Sequence, residues 1–419
     1  MKIAVVGLWH LGTITSLCLS KLNHQVYAFD DLNIIQEFNK HSPPITELGV
    51  KQLLKKNINK KIFFDYNLQK LINFDLIWVT YDALIDSSDQ SNFIYIFQKI
   101  KKILKYVRKN SVILISSQIP IGSIKRIEFY EKRVVKKNIS FAYIPENLRL
   151  GQGIKIFLNP ERIVIGSRNN LKIKNKIKEL LKDIKTEKIF VNSETAEMTK
   201  HVINSFLACS IAFINEIGSI AKNYSVSFKD LKKCVQSDKR IGYYSYLKPG
   251  NAFSGGTLGR DVNFLLSESK KNKTNSLLLK AILASNKTHS KWVENLFNKK
   301  FSSKKNSILQ IGLSYTSGTS TLRRSLPYEI FKKLSKKYHI KIYDNYINNS
   351  LEKKKLLKKF FLNIKSKEKF NILLAFNKID NFFRLDTFMK KKATVIDVNG
   401  ENKTNILLKK FNYISLENE

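Results

Sequence analysis

Cysteine, methionine and tryptophan each occur only three times in 419 residues, and histidine only six times. An odd set of cysteines (Cys18, Cys209, Cys234) with no metal-ligand spacing excludes a disulfide scaffold. It predicts a reducing, cytoplasmic setting with no metal centre. Long apolar runs are also missing: no stretch reaches the ~18 residues of a membrane span, and no basic-then-apolar leader precedes the first strand. No membrane contact is therefore expected. Carboxylates are scarce, 34 against 74 lysines and arginines, which leaves a formal charge of +40. Such a charge can mark a nucleic-acid partner, which would require one concentrated basic face. Here the lysines are spread along the whole chain among many Asn and Ile residues. They read as a solvated, compositionally biased surface, and no nucleic-acid partner is expected. An anionic substrate would still gain from the positive field.

With 43% hydrophobic and 11% aromatic residues the chain is globular, and its length suits two or three domains. Lys2 to Val6 is a short β-rich apolar run. Gly7-Leu8-Trp9-His10-Leu11-Gly12 follows, then a helical pattern through Leu22, a second strand at Gln25 to Phe29, and Asp30-Asp31. Strand, glycine turn, helix, strand and acid make up the dinucleotide-binding βαβ order. Gly7 permits the tight turn, and the free N–H groups of the following helix suit a pyrophosphate. Asp30, 18 residues past Gly12, is placed to bond both ribose hydroxyls and repel a 2′-phosphate, which favours NAD over NADP. Trp9 stands where the fingerprint has its second glycine and should crowd the pyrophosphate.

Further βα alternation is predicted. Leu76 to Thr80 and Val112 to Ser116 read as buried parallel strands joined by an amphipathic helix over Phe93 to Val107. Ser117 to Gly122 is a turn at a strand's carboxyl end, where open parallel sheets bind ligands. Phe141 to Gly151 is another strand leading into a turn with Glu146, and Ile163 to Ile165 a strand after Asn159-Pro160-Glu161-Arg162. From Ser193 to about Ser237 the pattern changes to long helices. Lys200 and Asn204 lie one turn apart there and share a face, although a solvated lysine and a surface asparagine have the same spacing. Helices recur over Ser276 to Phe297. A second α/β pattern then runs from Ser307, with strands at Ser307 to Gly312, Ile340 to Tyr343, Asn371 to Ala375 and Ala393 to Val398, a turn at Thr316 to Ser325, and a charged helix near Lys353 to Lys369. Between these regions Lys248 to Val262, KPGNAFSGGTLGRDV, is a glycine-rich run that lets backbone pass close to a ligand.

Seven segments, GLWHLG, SSQIPIG, PENLRLG with NPERIVIG, TAEMTKHVINSFLA, SDKRIG, PGNAFSGGTLGRD and GLSYTSGTSTLRRS, resemble in order the signatures of the UDP-glucose/GDP-mannose dehydrogenases. These enzymes oxidise a nucleotide-sugar alcohol to the acid with NAD. The resemblance runs nearly end to end. It implies an α/β fold of two Rossmann-like doubly wound domains joined by a central helical dimerisation domain: residues 1–190 holding NAD, 191–298 helical, 299–419 holding the nucleotide sugar. It also implies a cytoplasmic homodimer that supplies precursors for surface polysaccharide. Glu146 falls on an acid implicated in proton transfer and water handling. Lys200 and Asn204 fall on a pair that stabilises oxyanion character at the reacting carbon, and Asp261 on an acid that positions water. By the same resemblance Gly7, Trp9, His10, Leu11, Gly12, Asp30 and Arg323 would meet the cofactor. Asn147, Leu148, Arg240, Phe253 and Gly256 would meet the substrate, a UDP-sugar.

The chain departs from the family pattern at several points. Thr257 occupies the place of the loop cysteine whose thiolate attacks the intermediate aldehyde, and a threonine hydroxyl is a poor nucleophile without an adjacent base. Leu150 replaces a second acid, Thr316 a lysine and Arg260 a lysine. An NAD-dependent dehydrogenase is the leading expectation. The alternative is a homologue that binds NAD and nucleotide sugar without full turnover.

Overall fold

The computed structural model describes residues 1–419 apart from 46, 48, 83–92, 150, 169–170, 316–320, 349–356, 380–384, 403–404, 406–407, 409 and 417–419. Leu150, Thr316 and the first half of the expected turn at 316–325 thus lie outside the described residues. The chain forms two compact units, Met1–Val202 and Ile203–Glu419.

In the first unit eight strands are described: β1 Lys2–Val6, β2 Gln25–Phe29, β3 Ile62–Asp65, β4 Leu76–Val79, β5 Val112–Ile115, β6 Ser140–Tyr143, β7 Arg162–Gly166 and β8 Glu187–Val191. They form one sheet in the order β3-β2-β1-β4-β5-β6-β7-β8. The pairs are parallel except for β6 with β7, which meet antiparallel at Tyr143 and Gly166. The run IAVV in β1 is continuous because both sheet faces are covered. Ile3 and Val5 enter one core with Leu17, Leu54 and Leu114, while Ala4 and Val6 enter the other with Ile100, Ile103 and Ile127. Each such fully buried aliphatic side chain contributes about 1.5–3 kcal/mol. The central strands are legible as apolar runs for this reason. The outermost strands, β3 and β8, are mostly half-buried and carry no such run.

In the second unit the helices Phe228–Ser237, Leu258–Lys271, Leu277–His289 and Trp292–Lys300 precede strands β9 Ser307–Ile311, β10 His339–Tyr343, β11 Phe370–Ala375, β12 Met389–Asp397 and β13 Asn412–Ile414. These strands pair in parallel in the order β10-β9-β11-β12-β13. Again alternate residues serve two cores: Ile372 and Leu374 face one, Leu373 and Ala375 the other. The α/β class with two doubly wound parallel sheets and helices between them is as the sequence implies.

Two expectations are corrected. Of the charged helix expected near Lys353 to Lys369, residues 353–356 lie outside the described residues and Leu357 is helical, but a short 3₁₀ turn at Lys358–Phe360 follows and no helix forms over 361–369. Leu357 and Leu362 are buried, and Leu362 N–H donates 2.9 Å to the Ile342 carbonyl. Docking against β10 therefore outweighs the helical spacing of the lysines. Second, one described helix, Ser193–Ala221, is long and apolar enough to cross a membrane by length and composition. Lys200, His201, Asn204 and Asn215 interrupt the apolar run, but an average over the helix absorbs them. The same helix exposes Val202, Phe206, Phe213 and Ile220.

Candidate functional site

The first βα turn is built for close approach. Gly7 has φ +99°, its N–H donates 2.9 Å to the Phe29 carbonyl, and its carbonyl accepts from the Thr80 hydroxyl at 2.7 Å. A Cβ on Gly12 would lie 1.7 Å from that Gly7 carbonyl, so only glycine lets the helix His10–Lys21 start so near the strand. The helix has no acidic residue in its first turn, and Trp9 at its N-cap offers no side-chain acceptor. The turn therefore suits an anion. Trp9 has an ordinary backbone (φ −76°) and a half-exposed side chain, so the position does not demand glycine for conformational reasons. Leu11 is buried behind the turn. Asp30, at the end of β2, accepts N–H bonds from Leu8 at 2.5 Å and Asp31 at 2.8 Å. Burial raises its pKa, and those two bonds oppose the shift. The arrangement fits a dinucleotide: a glycine cradle, an uncapped helix start, and an acid one strand over.

His10 bonds Glu47 at 2.9 Å through Nε2, and the other Glu47 oxygen accepts the Gly153 N–H. Beyond β6, Glu146 accepts from Lys200 Nζ at 2.7 Å on one oxygen and from the Leu148 N–H on the other. Both side chains are mostly shielded, at 14% and 23% exposure for Lys200 and Glu146. Asn147, between them in the turn, is exposed, and Leu148 packs on the core. The Asp82 carboxyl, following β4, is within electrostatic reach of His10, Glu146 and Lys200. Glu197, one turn before Lys200, is fully buried and accepts from the N–H groups of Gly122 at 2.5 Å and Ile124 at 2.8 Å. Desolvation raises its pKa to about 7 against those bonds.

In the second unit the glycine-rich run is held by amides. Asn215 accepts from Gly250 N–H at 2.9 Å, Asn399 accepts from Asn251 N–H at 3.0 Å, and His289 bonds the Gly250 carbonyl at 2.7 Å. Asn286 makes two 2.9 Å bonds to the Phe253 backbone, while the Phe253 ring packs beside Val262 and Ala208. Burial lowers the His289 pKa, and the bond to Gly250 opposes the shift. Gly255 has φ +77°, and a Cβ there would fall 2.2 Å from the Tyr315 ring. Its N–H donates 3.0 Å to the Arg324 carbonyl, and the Arg324 guanidinium lies 3.4 Å from the space a Gly256 Cβ would fill. Thr257 then starts the helix Leu258–Lys271, with no side-chain capping bond. One turn on, Asp261 is fully buried and accepts from the Asn204 amide, and the Arg260 guanidinium lies 4.0 Å away.

The structure thus pairs Glu146 with Lys200 and Asn204 with Asp261, and puts Thr257 one turn before Asp261. Arg323 is exposed, and its neighbour Arg324 is the arginine that meets the loop. Arg240 is exposed and held by Asp238 in two bonds of 3.0 and 2.6 Å. Asp82, Glu47, Glu197, Asn215, Asn286, His289 and Asn399 escape sequence reasoning. For Asn215 a signal did exist: it lies eleven residues after Asn204, a spacing that returns to the same helix face. For Asn286 and Asn399 none did, since an isolated asparagine is normally a surface residue.

The profile of the UDP-glucose/GDP-mannose dehydrogenase family, NAD binding domain, matches residues 1–185, and the profile of its central domain matches residues 194–288. A UDP-glucose 6-dehydrogenase of Rickettsia bellii is 32% identical over 356 residues, covering 82% of this chain and 81% of that protein. One from Bacillus subtilis is 29% identical over 331 residues, covering 78% and 75%. Among solved structures, a UDP-glucose dehydrogenase of Pyrobaculum islandicum superposes with a TM-score of 0.84 at 19% identity, covering 100% of this chain and 98% of that one. At that identity the structural likeness speaks for the fold alone.

Proposed function

Because the chain belongs to the UDP-glucose/GDP-mannose dehydrogenase family, we propose that it oxidises the primary alcohol of a nucleotide sugar, a UDP-sugar, toward the uronate. It is an NAD-dependent oxidoreductase. The observation that carries the reading is the shielded Lys200–Glu146 pair, a cation and a carboxylate poised at 2.7 Å beside the carboxyl ends of a nucleotide-binding sheet. The Gly7–Gly12 turn would hold NAD, which would supply the hydride acceptor. Gly7, His10, Leu11 and Gly12 present the turn, and Asp30 recognises the ribose.

Lys200 stabilises the alkoxide that develops as the alcohol loses its proton, and Asn204 supports it with an amide donor. Glu146 takes up the proton through the lysine or a water. The first oxidation converts the alcohol to the aldehyde, releases one proton and delivers one hydride to NAD, with no need of a thiol. Thr257 cannot be ionised by the helix N-terminus as a cysteine can, so the second oxidation proceeds by another route. Asp261 would hold the water that adds to the aldehyde, and that hydrate would be oxidised to the acid with the same cofactor chemistry, or the reaction stops at the aldehyde. Asn147, Leu148, Phe253, Gly256, Arg240 and Arg323 are assigned to ligand contacts on the family pattern. The product serves polysaccharide precursor synthesis in the cytoplasm. The exposed apolar face of Ser193–Ala221, with Phe206, Phe213 and Ile220, supports a homodimer, since contiguous exposed apolar area of this kind marks a contact surface.

The test is NADH formation from NAD with a panel of UDP- and GDP-sugars. No NADH with any of them refutes the assignment. Product analysis then separates aldehyde from acid, and aldehyde is expected to accumulate.

A further inference from the structure

Glu197 places a carboxyl at a fully buried position. Burial of a carboxylate is costly unless hydrogen bonds compensate, and here the Gly122 and Ile124 N–H groups do so, at the start of the helix Ser123–Tyr130. A helix start is normally closed by a local Ser, Thr, Asp or Asn at its N-cap. This one has Gly122 at that position, without a side chain, and takes its acceptor from 75 residues away. A local cap would satisfy the same N–H groups without burying a carboxyl on a distant element. The distant one adds a tie between the stretch after β5 and the helix Ser193–Ala221.

Three residues further along that helix is Lys200, which bonds Glu146 at the end of β6. Strands β5 and β6 are neighbours in the sheet. One helix turn therefore clamps the ends of two adjacent strands through two carboxylates, one from the helix and one to it. The start of the helix is seated as closely: a Cβ on Gly166 would fall 2.5 Å from the Ala196 side chain. Ser116 on the β5 side is pinned in turn by the Trp78 indole at 2.9 Å.

We propose that Glu197 is a positioning residue for the oxidation. By fastening the first turns of Ser193–Ala221 to the stretch after β5, it sets the height at which Lys200 meets Glu146 and hence the reacting alcohol. The inference rests on the reading of Lys200 and Glu146 as residues that act on the substrate.

The experiment uses the full chain and the variants Glu197→Gln and Glu197→Asp. Steady-state rates are measured with NAD and whichever nucleotide sugar the wild type turns over, and hydrogen exchange is followed at 116–126 and 144–149. For Glu197→Gln we expect kcat to fall about tenfold to a hundredfold, the scale of a small misplacement of a reacting group. KM for NAD should stay within about threefold, because the Gly7–Gly12 turn is untouched. Exchange should quicken at both segments. Glu197→Asp, which keeps the carboxyl one methylene short, should fall between Glu197→Gln and the wild type. A Glu197→Gln enzyme that keeps its kcat within about twofold overturns the proposal, as does one that loses kcat and NAD affinity in parallel. If the wild type forms no NADH with any sugar, the dehydrogenase reading fails instead. The positional claim is then decided by exchange: unchanged protection at 144–149 in Glu197→Gln overturns it, and faster exchange there upholds the clamp.

Discussion

Removing the Lys200 ammonium while keeping the length of its side chain, in Lys200→Met, separates what this group does for folding from what it does for the reaction. In the fold, Lys200 Nζ sits 2.7 Å from Glu146, with the two side chains 14% and 23% exposed. The pair is thus intermediate between surface ion pairs, worth about 0.2–1 kcal/mol, and buried ones, whose breakage costs about 3–5 kcal/mol. Glu146 also keeps its bond from the Leu148 N–H when the lysine is gone. A stability loss of about 1–2 kcal/mol is the expected result. In the reaction the ammonium faces a developing alkoxide, and loss of one such stabilising group costs about 10²–10³ in kcat, or roughly 3–4 kcal/mol. The kinetic loss should therefore exceed the thermodynamic one. A cycle with Glu146→Gln checks the pairing: denaturant unfolding of the two single variants and the double variant should give a coupling of about 0.5–2 kcal/mol. Turnover by the double variant should be no lower than by Lys200→Met alone. If Lys200→Met loses stability and turnover in equal measure, or keeps more than about a tenth of kcat, the assignment of Lys200 to oxyanion stabilisation is wrong.

Other perturbations probe the loop and the buried acid. Gly255→Ala must adopt φ +77° against the Tyr315 ring and should destabilise by about 2–5 kcal/mol. Gly259→Ala meets only Phe253 at 3.7 Å and, being inside a helix, should stabilise by up to about 1 kcal/mol; urea unfolding of both variants, with the same sign for each, would refute the loop geometry. Thr257→Cys should raise the ratio of acid to aldehyde in product analysis, and an unchanged ratio would show that the residue at the helix start does not limit the second oxidation. Glu197 is raised from 4.5 to about 7 in the folded chain, so between those pH values the native state holds more protons than the unfolded state and its stability falls as pH rises. Glu197→Gln lacks this term, so its stability relative to wild type should improve by up to about 3 kcal/mol from pH 4.5 to pH 8, and parallel stability curves would refute the shift.

The interior strands were legible because burial on both faces leaves an uninterrupted apolar run, as in Ile3 to Val6 and Val112 to Ile115. The edge strands β3 and β8 were not, because an edge is half solvated and its residues need not be apolar. The nucleotide turn was legible because its geometry admits only glycine at Gly12. At Trp9 the backbone is ordinary and the side chain half exposed, so the position does not require glycine for its own conformation. The charged segment 361–369 misled because helical spacing of lysines reports a solvated face without reporting that Leu362 docks on β10.

The polar residues that hold the site were legible only in proportion to how local their partners are. Lys200 and Asn204 share a helix face, and that much follows from a spacing of four. Their partners, Glu146 and Asp261, lie 54 and 57 residues away along the chain, and Glu197 and Asn215 reach as widely on the same helix. Glu197, Lys200 and Asn215 each hold a different loop and Asn204 holds Asp261 of the helix Leu258–Lys271, while Ala208 and Ala212 between them are buried and small enough for close packing. No local propensity selects Glu, Lys or Asn for helix positions that are partly or wholly buried. Their presence is explained only by the segments they hold.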